Sequence, residues 1–237
     1  FIIDLSRGNS FKRDKNSYDI SIGKFGRILK IIKEKKCKNV LFAGKIDKPR
    51  LSTLAVDIIG IYYLPRIIKA YKLGDAAILK ELIKILKENK IKVIKSNFFN
   101  PELTLKKGNF SKTKPNKSDL TSIRKGIRSL NSLNAHNHVQ GLIIRNNTII
   151  TKETFKGTKK MIQSIGTSKK QGGILIKFPK KKQDLRADLP TIGLDTLKDC
   201  KKSNLRGIVL KSKQNIFMNK KECINFANKN KIFIRVI

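Results

Sequence analysis

The sequence predicts an α/β protein made of two α/β domains with a ligand cleft between them. Three observations carry this expectation. Short aliphatic runs such as Asn39–Phe42 and Gly173–Phe178 alternate with stretches whose apolar residues recur every three or four positions. The connections between these runs are mostly short and polar. The chain has 237 residues, 39% of them hydrophobic, enough for packed cores and room for two small domains.

The elements follow in order. Phe1–Leu5 reads as a strand, and a polar loop runs on through Tyr18. Phe25, Ile28, Leu29, Ile31 and Ile32 have helical spacing, and Asn39–Phe42 is a short strand ending at the turn Ala43-Gly44. Strand, helix, strand with short links points to a parallel layer. Leu54 to Ile68 is the most apolar stretch, but Asp57, Gly60 and Pro65 interrupt it. It reads as buried core or a membrane-facing patch, since no run reaches the ~18 apolar residues of a span. Gly74-Asp75 opens a helix with an Ile78, Leu79, Leu82, Ile83, Ile85, Leu86 stripe, Asp75 serving as N-cap. Ile91–Ile94 is a strand. Lys106–Lys117, rich in Lys, Gly, Asn and Pro, reads as a linker before a helix from Ser118-Asp119 to about Leu133.

The domain boundary is placed near residue 134, giving an N-terminal domain 1–134 and a C-terminal domain 135–237. In the second, Val139–Ile144 and Thr148–Thr151 flank Asn146-Asn147 as a hairpin. Gly157–Ile165, Leu194–Lys202 and Lys220–Asn230 read as helices. Gly173–Phe178, Gly207–Leu210, Ile216–Met218 and Ile232–Val236 read as strands. The chain begins at Phe1 on a strand-like segment, not a signal peptide, so further residues are expected ahead of it.

A formal net charge of +37 dominates the composition. Such a cation attracts nucleic acid, anionic membrane or anionic small molecules. The lysines are scattered, not blocked into a tail. Abundant Lys, Ile and Asn with no Trp fit an AT-rich coding bias, which accounts for much of the charge. Cys37, Cys200 and Cys223 form neither a zinc pattern nor a disulfide framework, and read as inert buried thiols of a reducing compartment.

The segment Lys177 to Gly193 is where chemistry concentrates. Acidic residues are scarce, yet Asp184 and Asp188 flank Arg186 in a loop bounded by Pro179 and Pro190. Paired carboxylates with a guanidinium and lysines suit a phosphate site: the carboxylates hold Mg²⁺ or orient water, and the cations neutralise oxygens. The loop follows a strand and precedes a helix, where α/β proteins place ligands. The simpler alternative is a surface loop with an Asp–Arg pair. His136 and His138 could bind metal but have no further ligand nearby, so an exposed loop is the better reading. Gly44 and Gly74-Asp75 sit at turns able to offer backbone N–H groups to phosphate. Walker, Gly-x-Gly-x-x-Gly and Gly-x-Ser-x-Gly motifs are absent, as is an RNA-stacking motif.

These residues resemble the signature of the I-type UDP-2,3-diacylglucosamine pyrophosphatases, roughly K-x-P-K-x-x-Q-D-x-R-x-D-L-P-T-I-G. Lys177, Pro179, Lys180, Gln183, Asp184, Arg186, Asp188, Leu189, Pro190, Thr191, Ile192 and Gly193 all match. Ala43-Gly44 with Lys48-Pro49 resembles the family's A-G-x-x-x-R-P turn, and Gly74-Asp75 its G-D-D-x-L-L. Pro115, Asp119 and Gly126 fit the helix before the second domain. Gln140 matches D-V-G-Q, and Glu153 with Gly157-Thr158 matches E-x-x-x-G-T-D. Departures are Ala76 for the second Asp of G-D-D, Asn137 and Val139 for Asp and Gly, and Lys159 for the Asp after G-T. The family's first strand and Gly-rich turn are expected to lie ahead of Phe1.

The resemblance implies hydrolysis of UDP-2,3-diacylglucosamine to UMP and 2,3-diacylglucosamine 1-phosphate (lipid X), dependent on Mg²⁺ with Mn²⁺ as the alternative. It implies Asp184 and Asp188 as metal ligands, with Arg186 beside them as catalytic groups. Substrate-binding residues are Lys177, Lys180, Gln183, Thr191, Gly44, Asp75, Gln140, Gly157 and Thr158. The expected partners are the lipid substrate, lipid X and the anionic inner-membrane surface, on which a cytoplasmic protein would sit peripherally. No specific nucleic acid is expected, and a homo-oligomer is compatible with the reading. The competing expectations are a non-catalytic nucleic-acid binder and a degenerate member that binds lipid without cleaving it.

Overall fold

One carboxylate starts two helices in the N-terminal part of the chain. Asp57 accepts from the Gly60 amide at 2.7 Å, capping α2 (Ile58–Leu73), and from the Gly26 and Arg27 amides at 3.0 Å each, holding the start of α1 (Phe25–Glu34). Burial alone would raise this carboxyl, but those backbone bonds outweigh it and keep it below its usual range. The interrupted stretch Leu54–Ile68 is thus not a buried core segment. Its Asp is the cap of a helix that carries Pro65 within it and buries only Gly60 and Ala70. The computed structural model describes residues 1–6, 14–44, 54–137, 139–166, 172–181 and 183–237, the side chains of 134–137 excepted.

Two units divide the chain, Phe1–Ser96 and Asn97–Ile237. In the first, β1 (Ile2–Asp4) pairs in parallel with β2 (Ser17–Asp19), so part of the expected polar loop is a strand. β3 (Asn39–Leu41) pairs in parallel with β4 (Lys92–Ile94). The parallel arrangement expected from the strand–helix–strand order is present, as two separate pairs. α1 buries Ile28, Leu29, Ile31 and Ile32, as its spacing predicts. Arg66 of α2 clamps α3 (Asp75–Glu88) by donating to Glu81 at 2.6 Å and to both oxygens of Glu88 at 2.7 Å. Asp75 is not the N-cap: Gly74, at φ 101°, holds that position, and Asp75 is the first helical residue, its charge favourable at the positive end of the helix.

The second unit is built on a six-stranded sheet in the order β5-β12-β10-β8-β6-β7. The strands are β5 (Gly108–Asn109), β6 (Gly141–Arg145), β7 (Thr148–Lys152), β8 (Gly173–Lys177), β10 (Leu205–Leu210) and β12 (Phe233–Val236). β8, β10 and β12 run parallel; β6, β7 and β5 are antiparallel to their neighbours. Asn146 and Asn147 turn the β6–β7 hairpin with φ of 46° and 60°, the left-handed pair a two-residue turn demands. A separate parallel pair joins β9 (Thr191–Ile192) to β11 (Ile216–Phe217).

One face of the sheet packs on α4 (Lys117–Asn137) through Ile123, Leu130, Leu142, Ile144, Ile174 and Ile176. The other carries α5 (Gly157–Gln163), α6 (Leu194–Lys202) and α7 (Lys220–Lys229) around Ile143, Leu175, Ile208 and Ile234.

This arrangement moves the boundary from residue 134 to Ser96/Asn97. Lys106–Lys117 is no linker: Leu105 is buried in the second core, β5 lies on the β12 edge, and Ser111 accepts from the Ile234 amide at 2.8 Å. α4 belongs to the second unit because its apolar face is covered by β6 and β8. Of the expected thiols, Cys200 and Cys223 are buried, whereas Cys37 is only half-buried.

Candidate active site

A buried lysine ends the middle strand of the second sheet. Lys177 closes β8, where its Nζ lies 3.3 Å and 3.4 Å from the two Glu153 oxygens, each side chain only 5% exposed. Glu153 directly follows β7, and β6 brings Gln140 alongside. Thr158, in the first turn of α5, accepts from Lys177 and donates to Glu153 Oε1 at 2.8 Å. Gln140 Nε2 donates to the same oxygen at 3.4 Å, while its own Oε1 is buried without a partner among the described residues. Burial pushes the Lys177 ammonium below its usual range and Lys180 adds to that, while Glu153 and, more weakly, Asp188 oppose it.

The loop after Lys177 is tied at both ends. Phe178 N donates to Gln140 O at 2.9 Å, and the Lys177 carbonyl accepts from buried Asn215 Nδ2 at 3.1 Å. Gln183 Oε1 accepts from the Lys180 amide at 2.9 Å, folding the Lys-rich stretch back on itself. Then comes one helical turn: Asp188 N donates to Asp184 O at 2.9 Å, which sets the two aspartates four residues apart on the same side. Arg186 donates to Asp184 through Nε at 3.0 Å and Nη2 at 2.7 Å, which raises the guanidinium above its usual range. The loop closes where Ile216 N donates to Pro190 O at 3.0 Å. All of this lies at the C-terminal ends of β8 and β10, where open α/β sheets take their ligands.

The structure therefore brings Lys177, Gln140 and Thr158 into one network and folds Lys180, Gln183, Asp184, Arg186 and Asp188 into the adjoining loop. Gly157 starts α5 at φ 80°, a left-handed conformation that favours glycine. Thr191 is exposed at the end of the loop, its hydroxyl donating to Leu189 O at 3.3 Å. Gly44, at φ 82°, and Asp75 belong to the first unit. Lys48-Pro49 and His138 lie outside the described residues, as does the side chain of His136.

Two family models match this chain, the LpxI N-terminal domain over residues 2–103 and the LpxI C-terminal domain over residues 106–235. The chain belongs to the LpxI family. A curated relative, the UDP-2,3-diacylglucosamine pyrophosphatase LpxI of Caulobacter vibrioides, is 27% identical over 224 residues, covering 91% of this chain and 80% of that protein. The two matched stretches meet between 103 and 106, close to the structural division and away from residue 134.

Two residues of this LpxI site carry more than the signature loop suggests. Glu153 is the acceptor around which Lys177, Thr158 and Gln140 gather. Its signal was the E-x-x-x-G-T pattern, but one acidic residue at a strand end does not announce a buried ion pair with a lysine 24 residues later. Asn215 links the ends of β8 and β10, with Oδ1 accepting from Lys211 N at 2.9 Å, and had no sequence signal beyond its identity.

The donor set can be weighed against a divalent ion. Among the described residues no three His, Cys, Asp or Glu side chains gather into a metal cage. Asp184 is held by Arg186, and Asp188 stands on the same side of the turn. One or two carboxylates completed by substrate phosphate and water is the ligation Mg²⁺ prefers, so the residues fit an ion that arrives with phosphate.

Proposed function

We propose that this LpxI protein is a UDP-2,3-diacylglucosamine pyrophosphatase of lipid A biosynthesis, releasing UMP and lipid X in a metal-dependent hydrolysis. The observation that carries the proposal is the buried Lys177–Glu153 pair at the strand end from which the loop carrying the Asp184–Arg186–Asp188 turn departs. It joins fixed positive charge to positioned carboxylates at one strand end. The relative's name supplies the substrate.

Pyrophosphate hydrolysis needs charge neutralisation and an aligned water more than a strong nucleophile. Lys177 is held by two side chains, Glu153 and Thr158, so its positive charge is fixed at the strand end before a phosphate arrives. Arg186 and Lys180 sit in the adjoining loop and take up charge on the phosphates. Asp188 orients the attacking water, with Asp184 fixing the guanidinium beside it. Water adds to phosphorus as its proton passes through Asp188 to solvent, the bond to the bridging oxygen breaks, and the leaving phosphate departs as its anion. Asp188, with Asp184 second, would hold Mg²⁺ or Mn²⁺, which supplies Lewis-acid neutralisation of the phosphate oxygens. Gln140 Oε1, buried and without a partner among the described residues, can accept from a substrate hydroxyl.

The diacyl substrate resides in a membrane. No helix of the described residues is long and apolar enough to cross one. The net charge of +37 supports peripheral association with anionic headgroups on the cytoplasmic face. A lipid-binding member that no longer cleaves is the second reading, favoured by Ala76 and Lys159 in place of family acids. UMP release from detergent-dispersed UDP-2,3-diacylglucosamine, with and without Mg²⁺, separates the two. Metal-dependent release that vanishes in Asp188→Ala supports hydrolysis, and lipid binding with no release moves the assignment to a binding protein.

A further inference from the structure

α2 has an outward stripe that the packing of its own unit leaves uncovered. Ile58 is 86% exposed, Tyr62 75% and Leu73 76%, with Ile61 also exposed. Positions 58, 61, 62, 65, 69, 72 and 73 recur at helical three- and four-residue spacing, and all seven are exposed. Two of them are Lys69 and Lys72, and one is Pro65. The buried residues of this helix, Gly60 and Ala70, are the smallest it has. The two residues this helix buries are thus small, Leu64, Ile67 and Ile68 are half-buried, and Ile58, Ile61, Tyr62 and Leu73 face outward. Asp57, which caps it and holds α1, fixes this orientation.

Beside the stripe, α1 and α2 form an open groove of about 640 Å³. Its apolar wall is Leu29, Ile58, Ile59 and Tyr62, and Lys30 and Lys33 stand on its rim. Glu34 is the one acid there, 3.9 Å from Lys30 Nζ. Large apolar side chains bordered by lysines are the pattern of a helix lying in a membrane interface: the apolar groups enter the acyl boundary, and the long basic stems reach up to the headgroups. A water-facing surface gives no reason for isoleucine, isoleucine and tyrosine in a row of outward positions. The lysines select the occupant by charge.

We propose that the exposed face of α2, with the α1–α2 groove, docks this protein onto an anionic lipid bilayer. The proposal rests on the peripheral association put forward above and names the surface that performs it. Lys69 and Lys72 pair with headgroup phosphates while Ile58, Ile61, Tyr62 and Leu73 enter the bilayer. The α2 axis then lies along the membrane plane, which keeps Arg66, bound to Glu81 and Glu88, on the protein side.

The test is vesicle co-sedimentation of the full chain, compared between phosphatidylcholine vesicles and an equimolar phosphatidylglycerol/phosphatidylcholine mixture. The wild-type protein is expected to sediment with the anionic vesicles and not with the neutral ones. Ile58→Asp/Tyr62→Asp, at outward positions, is expected to lose more than about tenfold in binding with an unchanged melting temperature. A second variant, Lys69→Gln/Lys72→Gln, keeps the apolar stripe and is expected to lose about tenfold on anionic vesicles. Wild-type binding by both variants overturns the proposal. So does equal binding to neutral and anionic vesicles, or concentration-dependent self-association that Ile58→Asp/Tyr62→Asp abolishes without any vesicle binding. UMP release from detergent-dispersed substrate is measured on the same samples. Failure of turnover with α2-dependent vesicle binding rejects the enzymatic reading alone; turnover with no vesicle binding rejects the docking face alone.

Discussion

Lys177 Nζ and Glu153 Oε1 are 3.3 Å apart with both side chains removed from solvent, and Thr158 bridges them. An ammonium in such a place loses its proton more easily than in water, and Glu153 is the main group resisting that loss. The sign of the consequence is fixed. Replacing the carboxylate by an amide leaves burial opposed only weakly, by Asp188, so Lys177 becomes neutral at lower pH. In Glu153→Gln the alkaline limb of the pH–kcat profile is expected to move to lower pH, with activity returning as the solution is made more acid. A drop of the same size at every pH would mean that Glu153 acts only on the fold.

The same pair makes a stability prediction. Breaking a buried ion pair by removing one partner costs about 3–5 kcal/mol, because a charge is left without its counterion. Lys177→Met is expected to fall in that range in urea denaturation. Lys177→Met/Glu153→Leu removes both charges and is expected to recover most of the loss, yet remain inactive. Stability regained without turnover would separate the structural role of the pair from its catalytic one.

The two aspartates of the signature loop are expected to behave differently. Asp184 holds Arg186 through two hydrogen bonds and accepts from the Arg186 amide at 3.0 Å, so Asp184→Asn keeps some of that geometry. Among the described residues Asp188 makes no comparable clamp, which leaves its carboxylate available for water or metal. Asp188→Asn is therefore expected to lower kcat by about 10²-fold or more. Asp184→Asn is expected to act more on KM by loosening Arg186. Steady-state kinetics of the two variants at saturating Mg²⁺ decides between them.

Much of the second unit could be read from the sequence because its elements are local. The Asn146-Asn147 turn, the α6 span and the strands at 173–177 and 205–210 carry their own periodicity and turn chemistry. What escaped depends on distant partners. Gly108-Asn109 look like linker until β12, more than a hundred residues later, gives them an edge to pair with. The α2 stretch read as buried core or a membrane-facing patch because its residues are apolar; which side of it faces outward follows from the double cap at Asp57. At the site, the loop motif was visible as a cluster, whereas Glu153 joins it only once β6, β7 and β8 align.

The cysteines give a prediction independent of function. Burial raises the thiols of Cys200 and Cys223, the latter to about 11, and both side chains lie in the second core. Cys223 also donates to Met218 O at 3.2 Å. Only Cys37 is partly accessible. Native protein at neutral pH is expected to label at one thiol with a maleimide, and at all three after denaturation. Intact mass before and after urea gives the count. Labelling of Cys200 in the native state would contradict the packing of α6.

The tightest packing in the second sheet lies at Gly207, where an added Cβ would strike the Phe233 ring across the β10–β12 pair. Both strands are central to the sheet, so neither backbone can yield, and the aromatic ring is fully buried. Gly207→Ala is expected to cost about 1–3 kcal/mol through overpacking. Phe233→Leu in the same chain removes the clash and is expected to restore part of the loss. Gly207 sits mid-strand, paired with Ile174 and three residues before Leu210, which pairs with Lys177. The kcat of the folded fraction is therefore expected to stay near that of the unmodified protein. Melting temperature and turnover measured side by side check both halves, and a large fall in kcat at full folding would show that strain in β10 reaches the loop after Lys177.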